Sequence, residues 1–144
     1  MGYTDAPKGW WRDFILEQPP RTAKLAVVCA DGSPHVAPVW VDLEGDDIVF
    51  MTSSETVKGR AILRDPRVAL CWDDEQPPFS FLLVKGTATT SVAEHDLEMW
   101  ARRIGGRYMG ADRAEEYGRR NAVPPEMVVR LSPDRVVAKV HVAD

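Results

Sequence analysis

Residues 26–70 read AVVCADGSPHVAPVWVDLEGDDIVFMTSSETVKGRAILRDPRVAL, and this run decides the fold. It opens inside a β-branched strand over 21–30 that Asp31-Gly32 closes. A D-G pair between two hydrophobic runs favours a hairpin, because glycine takes positive φ without steric cost. The returning strand spans about 35–43, with Ala37, Val39, Val41 and Leu43 on one face and Val36, Pro38 and Trp40 on the other. Pro38 has no N–H to give, so this strand is an edge or is locally bulged. Glu44-Gly45-Asp46 turns the chain again. Residues 48–52 (IVFMT) are apolar throughout, which predicts a short strand buried on both faces. Residues 54–63 then read as a helix with Ser54 as its N-cap, stopped at Asp65-Pro66.

On the N-terminal side, Trp10, Trp11, Phe14 and Ile15 fall on one face of a short helix that Pro19-Pro20 ends. On the C-terminal side, residues 68–72 form a fourth strand, residues 73–78 (DDEQPP) a polar loop, and residues 79–91 a long fifth strand with Phe79, Phe81, Leu83 and Lys85 sharing a face. Ser91 and Glu94 have the spacing of a capping box. The following helix turns Leu97, Trp100, Ala101, Ile104 and Tyr108 inward, pairs Glu98 with Arg102 outside, and is expected to weaken at Gly105-Gly106. Another short helix starts near Asp112. Residues 127–131 and 136–142 alternate as strand around a break or bulge at Ser132-Pro133-Asp134. Strands joined by tight turns predict an antiparallel sheet, which at this number closes into a barrel.

The 144 residues carry 18 Lys+Arg against 22 Asp+Glu, a net charge of −4, and 44% hydrophobic residues. That is the length of one domain over 1–144, and the acidic balance argues against nucleic acid and anionic membranes as partners. No apolar run approaches the length of a membrane span, and the first residues lack the apolar stretch of a secretory signal. Gly2 invites acylation, but Pro7 and the missing polybasic stretch argue against it. A cytoplasmic location is expected. The two cysteines, Cys29 and Cys71, sit in apolar runs without CxxC spacing and read as buried reduced thiols.

The chemistry concentrates in MTSSETVKGR, residues 51–60. A buried strand ends in hydroxyls where a helix begins. The first amides of a helix have no acceptor within it, and its dipole adds partial positive charge. Lys58 and Arg60 add two full charges within one turn, so an anion such as phosphate suits the place. A plain cap with two solvated cations would carry the same residues, and spacing alone does not separate the two. Trp40, Phe79 and Phe81 suit either a flat ring beside that anion site or packing in a core and dimer contact. Arg102, Arg103 and Arg107 form a basic helical edge, solvated or facing an anionic tail. His35, His95 and His141 are scattered without metal-ligand spacing, and no G-x-S-x-G, Walker A or G-x-G-x-x-G motif occurs. No protein-borne catalytic residue or metal site is therefore expected, and an enzymatic reaction here would need a cofactor to carry it.

Residues 26–70, FSFLLVKGTA at 79–88, RRIGGRYMG at 102–110, DRAEEYGRR at 112–120 and MVVRLSPDRVV at 127–137 together resemble the flavin-binding split-barrel proteins related to pyridoxamine 5′-phosphate oxidase. Within that superfamily they are similar to the small actinobacterial branch that uses the deazaflavin coenzyme F-420. The resemblance implies a mainly β fold, a six-stranded antiparallel split barrel with flanking helices. It also implies a homodimer with a cofactor site at each interface. It would place Pro38, Val39 and Trp40 against the cofactor ring and Met51, Thr52 and Ser53 along it. Thr56, which opens the T-x-K-x-R run, belongs to the same site, and Lys58 with Arg60 would hold the phosphate. Phe79 and Phe81 would reach over the ring from the second chain. The implied reaction is hydride transfer between coenzyme F-420 and an unsaturated or quinone-like small molecule, with no protein acid or base. FMN is the alternative cofactor, for an oxidase or reductase of the same fold, and a non-catalytic cofactor- or haem-binding protein is a further alternative. The C-terminus VVAKVHVAD lacks the Arg-x-His pattern of the oxidases, which argues against oxidation of pyridoxamine phosphate.

Overall fold

The computed structural model describes residues 3–143; Gly2 lies outside them. Eight strands form one antiparallel sheet: β1 (Thr4–Asp5), β2 (Ala23–Val28), β3 (Pro34–Val39), β4 (Asp42–Glu44), β5 (Asp47–Ser53), β6 (Arg67–Asp74), β7 (Ser80–Ser91) and β8 (Glu126–Val140). Four helices flank it: α1 (Trp10–Leu16), α2 (Val57–Arg64), α3 (Glu94–Met109) and α4 (Ala114–Asn121). The strands follow the order β3-β2-β6-β7-β8-β5-β4, with β1 added to the far end of β8. The end strands β3 and β4 do not pair, so the barrel is split there.

The count is eight rather than the expected six for local reasons. The expected strand over 35–43 is two strands, because Val41 leaves the ladder. Its N–H donates to the Tyr108 hydroxyl at 3.1 Å and its carbonyl accepts from Arg107 at 2.6 Å. Two-residue β1 adds the other. The expected break or bulge at Ser132-Pro133-Asp134 is a bulge: β8 runs through it, and Asp134 is the extra residue, since Lys85 of β7 pairs with Arg135 and Gly86 with Pro133. A Cβ on Gly86 would lie 2.1 Å from the Ser132 carbonyl oxygen, so glycine permits the close approach. Pro34 and Pro38 lie on edge strand β3, where a missing N–H leaves no gap in the sheet.

β5 carries two cores. Ile48 and Phe50 point into the barrel with Leu25, Leu70, Trp72, Leu82 and Leu131. Val49 and Met51 point out, where α3 covers them with Leu97, Trp100 and Ile104. Both faces are dry, as the unbroken apolar run predicts. Phe14 and Ile15 of α1 are buried against the barrel, with Trp10 and Trp11 packed beside them. Cys29 and Cys71 are free and half-buried, and burial pushes the Cys71 thiol up. Among the described residues, no helix is long and apolar enough to cross a membrane.

Charge fixes α3 to the sheet. Arg130 of β8 donates two hydrogen bonds to Asp96, at 2.8 and 2.9 Å, and two to Glu44, at 2.7 and 3.4 Å. The expected capping box does not form: Ser91 stays in β7 and its hydroxyl accepts from the Ala93 amide at 3.2 Å. Asp96 and Glu94 supply negative charge to the first turn instead. Arg102 pairs with Glu115 of α4 and not with Glu98. Gly105 and Gly106 do not weaken α3, which continues to Met109. A Cβ on Gly105 would sit 2.3 Å from Tyr117 Cβ, so the glycine is what lets α4 lie against α3.

Gly105→Ala is therefore expected to cost about 1–3 kcal/mol, the range for overpacking a tight contact, read as a lower urea midpoint. The Arg130 guanidinium holds the Asp96 carboxyl at about 2, below its ordinary 3.8. A depressed carboxyl contributes stability that is present above about pH 4 and lost as pH falls towards 2. The wild type should lose about 1–2 kcal/mol over that window relative to Asp96→Asn, in paired denaturations from pH 5 to pH 2.

Candidate functional site

One hydroxyl organises the handover from β5 to α2. Thr56 has extended backbone (φ −73°, ψ 163°), and its Oγ1 accepts from the Gly59 amide at 3.0 Å. The same hydroxyl donates to the Ser53 carbonyl at 2.9 Å, and Thr52 Oγ1 lies 3.0 Å away from it. The N-cap is thus Thr56 and not Ser54, whose amide donates to the Pro125 carbonyl at 3.0 Å. Gly59 explains the shift. A Cβ there would lie 1.9 Å from the Ser53 carbonyl oxygen, so only glycine lets the first turn press onto the strand end. Residue 56 then stands three places before the amide that needs an acceptor.

Beside this turn opens a cleft of about 410 Å³. Pro38, Val39 and Trp40 form one wall, and Met51, Thr52 and Ser53 form the floor. Ala101, Ile104 and Gly105 of α3 form the opposite wall, and Thr56 and Lys58 stand at the α2 end with Glu126. Trp40 stacks on Tyr108, with centroids 5.0 Å apart and planes 4° from parallel. Tyr108 is itself fixed, since its hydroxyl donates to the Arg21 carbonyl at 2.8 Å while accepting from Val41. The cleft therefore has an apolar end with a rigid aromatic wall and a polar end at a helix start.

The structure brings Pro38, Val39, Trp40, Met51, Thr52, Ser53, Thr56 and Lys58 together around this one space. Three further expected residues stand elsewhere. Arg60 is exposed, and its Nη1 donates to the Glu55 carbonyl at 2.9 Å, bracing the turn rather than lining the cleft. Phe79 is not part of the strand: it has a φ of 62° and precedes β7, with its carbonyl accepting from the Val142 amide at 3.2 Å. Phe81 lies in β7 with its ring edge-on to Tyr3, centroids 6.0 Å apart.

The basic edge of α3 does not line the cleft: Arg102 and Arg103 are exposed and ion-paired, and the Arg107 side chain is buried. Arg103 reaches Asp42 at 3.3 Å over the Trp100 ring, and Arg107 holds the Val41 and Ile15 carbonyls. Lys58 is then the one cation lining the cleft among the described residues. Its ammonium makes no hydrogen bond or ion pair with any of them.

Sequence reasoning missed Glu126, Thr22, Asn121 and the α3 wall. Glu126 is the first residue of β8 and lies directly across the ladder from Ser53. Burial pushes its carboxyl up, and the Lys58 ammonium pulls it partly back. No local pattern marks it, because its place depends on pairing with a distant strand.

The family model described as pyridoxamine 5′-phosphate oxidase matches residues 11–140. A pyridoxine/pyridoxamine 5′-phosphate oxidase of Hyphomonas neptunium is 33% identical over 102 residues, 65% of this chain and 46% of that protein. The chain thus spans about half the length of the curated relative it matches. Among solved structures, a conserved hypothetical protein of Mycobacterium tuberculosis superposes with a TM-score of 0.81 at 21% identity, covering 94% of this chain and 86% of that one. An F-420 reductase superposes at 0.68 with 24% identity, covering 91% and 98%. The haem storage protein HutZ of Vibrio cholerae superposes at 0.71 with 18% identity, covering 92% and 94%. At these identities the solved structures establish the fold, the split barrel with flanking helices.

Thr56→Ala is expected to lower stability by about 1 kcal/mol, the ordinary worth of an N-cap. Ser54→Ala should stay within about 0.5 kcal/mol of wild type. Thermal melts of the two variants check this assignment of the cap.

Proposed function

The chain belongs to the pyridoxamine 5′-phosphate oxidase family, and on that premise we propose that it is an oxidoreductase whose cleft holds the deazaflavin coenzyme F-420 and serves hydride exchange with an unsaturated or quinone-like small molecule. The observation that supports this most directly is Lys58. It is an ammonium without a direct hydrogen bond or ion pair among the described residues, at the first turn of α2 and at the polar end of a cleft whose other end is apolar and aromatic. A phosphate would take that ammonium, the Ser53 hydroxyl and the opening amides of α2, Val57 and Lys58, which have no acceptor within their own helix.

The volume of the cleft lies within the range of small-molecule sites. Pro38, Val39, Trp40 and Met51 offer a flat ring an apolar surface, and Trp40 cannot swing aside because Tyr108 backs it. One cation is few for a doubly charged terminal phosphate and suits the singly charged phosphodiester of a deazaflavin. That favours coenzyme F-420 over FMN. When bound, the coenzyme supplies two-electron hydride chemistry. The chain's part is to orient the ring, keep water off its apolar side and hold the phosphate in register.

The chain acts in this reading as a homodimer. Phe79 and Phe81, which stand outside this chain's own cleft, cover the ring held by a second copy. Exposure of Phe79 at the surface leaves it available for that contact.

Lys58→Ala should weaken cofactor binding at least about tenfold, the lower end for loss of a charge-assisted hydrogen bond, whereas Arg60→Ala should change it less. Fluorescence titration with coenzyme F-420 measures both, and an unchanged dissociation constant for Lys58→Ala would remove the phosphate site. The visible spectrum of purified protein separates the cofactors: retained FMN or haem would replace the deazaflavin reading. A monomer in equilibrium sedimentation would remove the shared site.

A further inference from the structure

We infer that Glu126 selects the cofactor by charge, admitting a singly charged phosphodiester and rejecting a doubly charged phosphomonoester. The inference rests on the cleft holding a phosphate-bearing ring, as proposed above. It adds the residue that decides which phosphate is accepted.

Glu126 pairs with Ser53 across the β5–β8 ladder, so both side chains stand on the same face, the one turned towards α3. Ser53 forms the floor at the polar end, so the carboxylate lies where the phosphate is expected. Among the described residues that line the cleft, only Lys58 and Glu126 carry charge. From α4, Asn121 adds a neutral amide, while Arg120 is held by the Tyr117 hydroxyl at 3.2 Å. From α3 come only Ala101, Ile104 and Gly105. The two charges feel one another, since Lys58 acts on the Glu126 carboxyl against the effect of its burial. With Glu126 ionised, the pair leaves the polar end close to neutral.

A neutral site treats anions unequally. The cost of taking an anion out of water rises steeply with its charge, and nothing here offsets a second negative charge. The repulsion contributed by Glu126 is proportional to the charge on the ligand. Removing that carboxylate should therefore help a dianion twice as much, on a logarithmic scale, as a monoanion. It should not help a neutral ligand.

The test uses three ligands with one ring: riboflavin, the methyl ester of riboflavin 5′-phosphate, and riboflavin 5′-phosphate. They are titrated at pH 8 into wild type, Glu126→Gln and Glu126→Asp. For Glu126→Gln we expect riboflavin within about twofold of wild type, the diester about fivefold tighter and the monoester about twenty-five-fold tighter. Glu126→Asp, which keeps the charge, should stay near wild type for all three, and thermal melts confirm that both variants fold. Equal changes for the three ligands, or an Asp variant that behaves like the Gln variant, would mean that Glu126 acts through packing and would overturn the inference alone. If neither these ligands nor coenzyme F-420 bind the wild type, the cofactor reading falls, and the role of Glu126 falls with it.

Discussion

Val41 is the point on which the arrangement turns. Its amide and carbonyl are taken out of the sheet by Tyr108 and Arg107 of α3, and the same two side chains hold the carbonyls of Arg21 and Ile15. A buried peptide group needs a partner, and a buried guanidinium needs several. These requirements are met only when α3, the β3–β4 corner and the segment after α1 come together. Asp42 adds the countercharge beside Arg103 and Arg107. The barrel is split at this corner, and Trp40, one residue before it, is laid flat on Tyr108 as the wall of the cleft. The opening and its aromatic wall therefore have one cause.

Much of this was legible in the chain because it was local. The run over 48–52 has no polar face, and β5 is shared by two cores. Asp31-Gly32 turns a hairpin with Gly32 at φ 83°. The stretch over 51–60 does place a helix start at one end of a cleft. What was not legible depended on partners far along the chain or on competition between equivalent residues. Ser53, Ser54 and Thr56 all carry a capping oxygen, and the close approach at Gly59 decided among them. The pair Gly105-Gly106 looks like a helix weakness until α4 is seen lying on it. Whether Ser132-Pro133-Asp134 breaks the strand or only bulges it is decided by β7, whose Lys85 and Gly86 pair with Arg135 and Pro133 on either side of Asp134. Glu126 enters the cleft only through the register of β5 with β8.

Charge counting along the sequence overstated the basic character of the site. Arg60, Arg102, Arg103 and Arg107 look available as letters, but each has a structural duty: bracing a turn, joining α3 to α4, or tying α3 to the sheet. Guanidinium suits such work, since its fork can satisfy several acceptors at once. The single ammonium left at the cleft is a lysine, which acts as a point charge on a flexible stem. On a chain with net charge −4, the side-chain pull on an anion within the cleft comes from that one residue among those that line it.

The hydroxyl chain at the start of α2 also settles what the floor can offer. Thr56 spends its only proton on the Ser53 carbonyl, so the contact between the two threonine oxygens requires Thr52 to donate. Thr52 is then left with nothing but lone pairs to present. A ligand resting on it must bring its own N–H or O–H, and a bare oxygen placed there would meet an electron-rich surface.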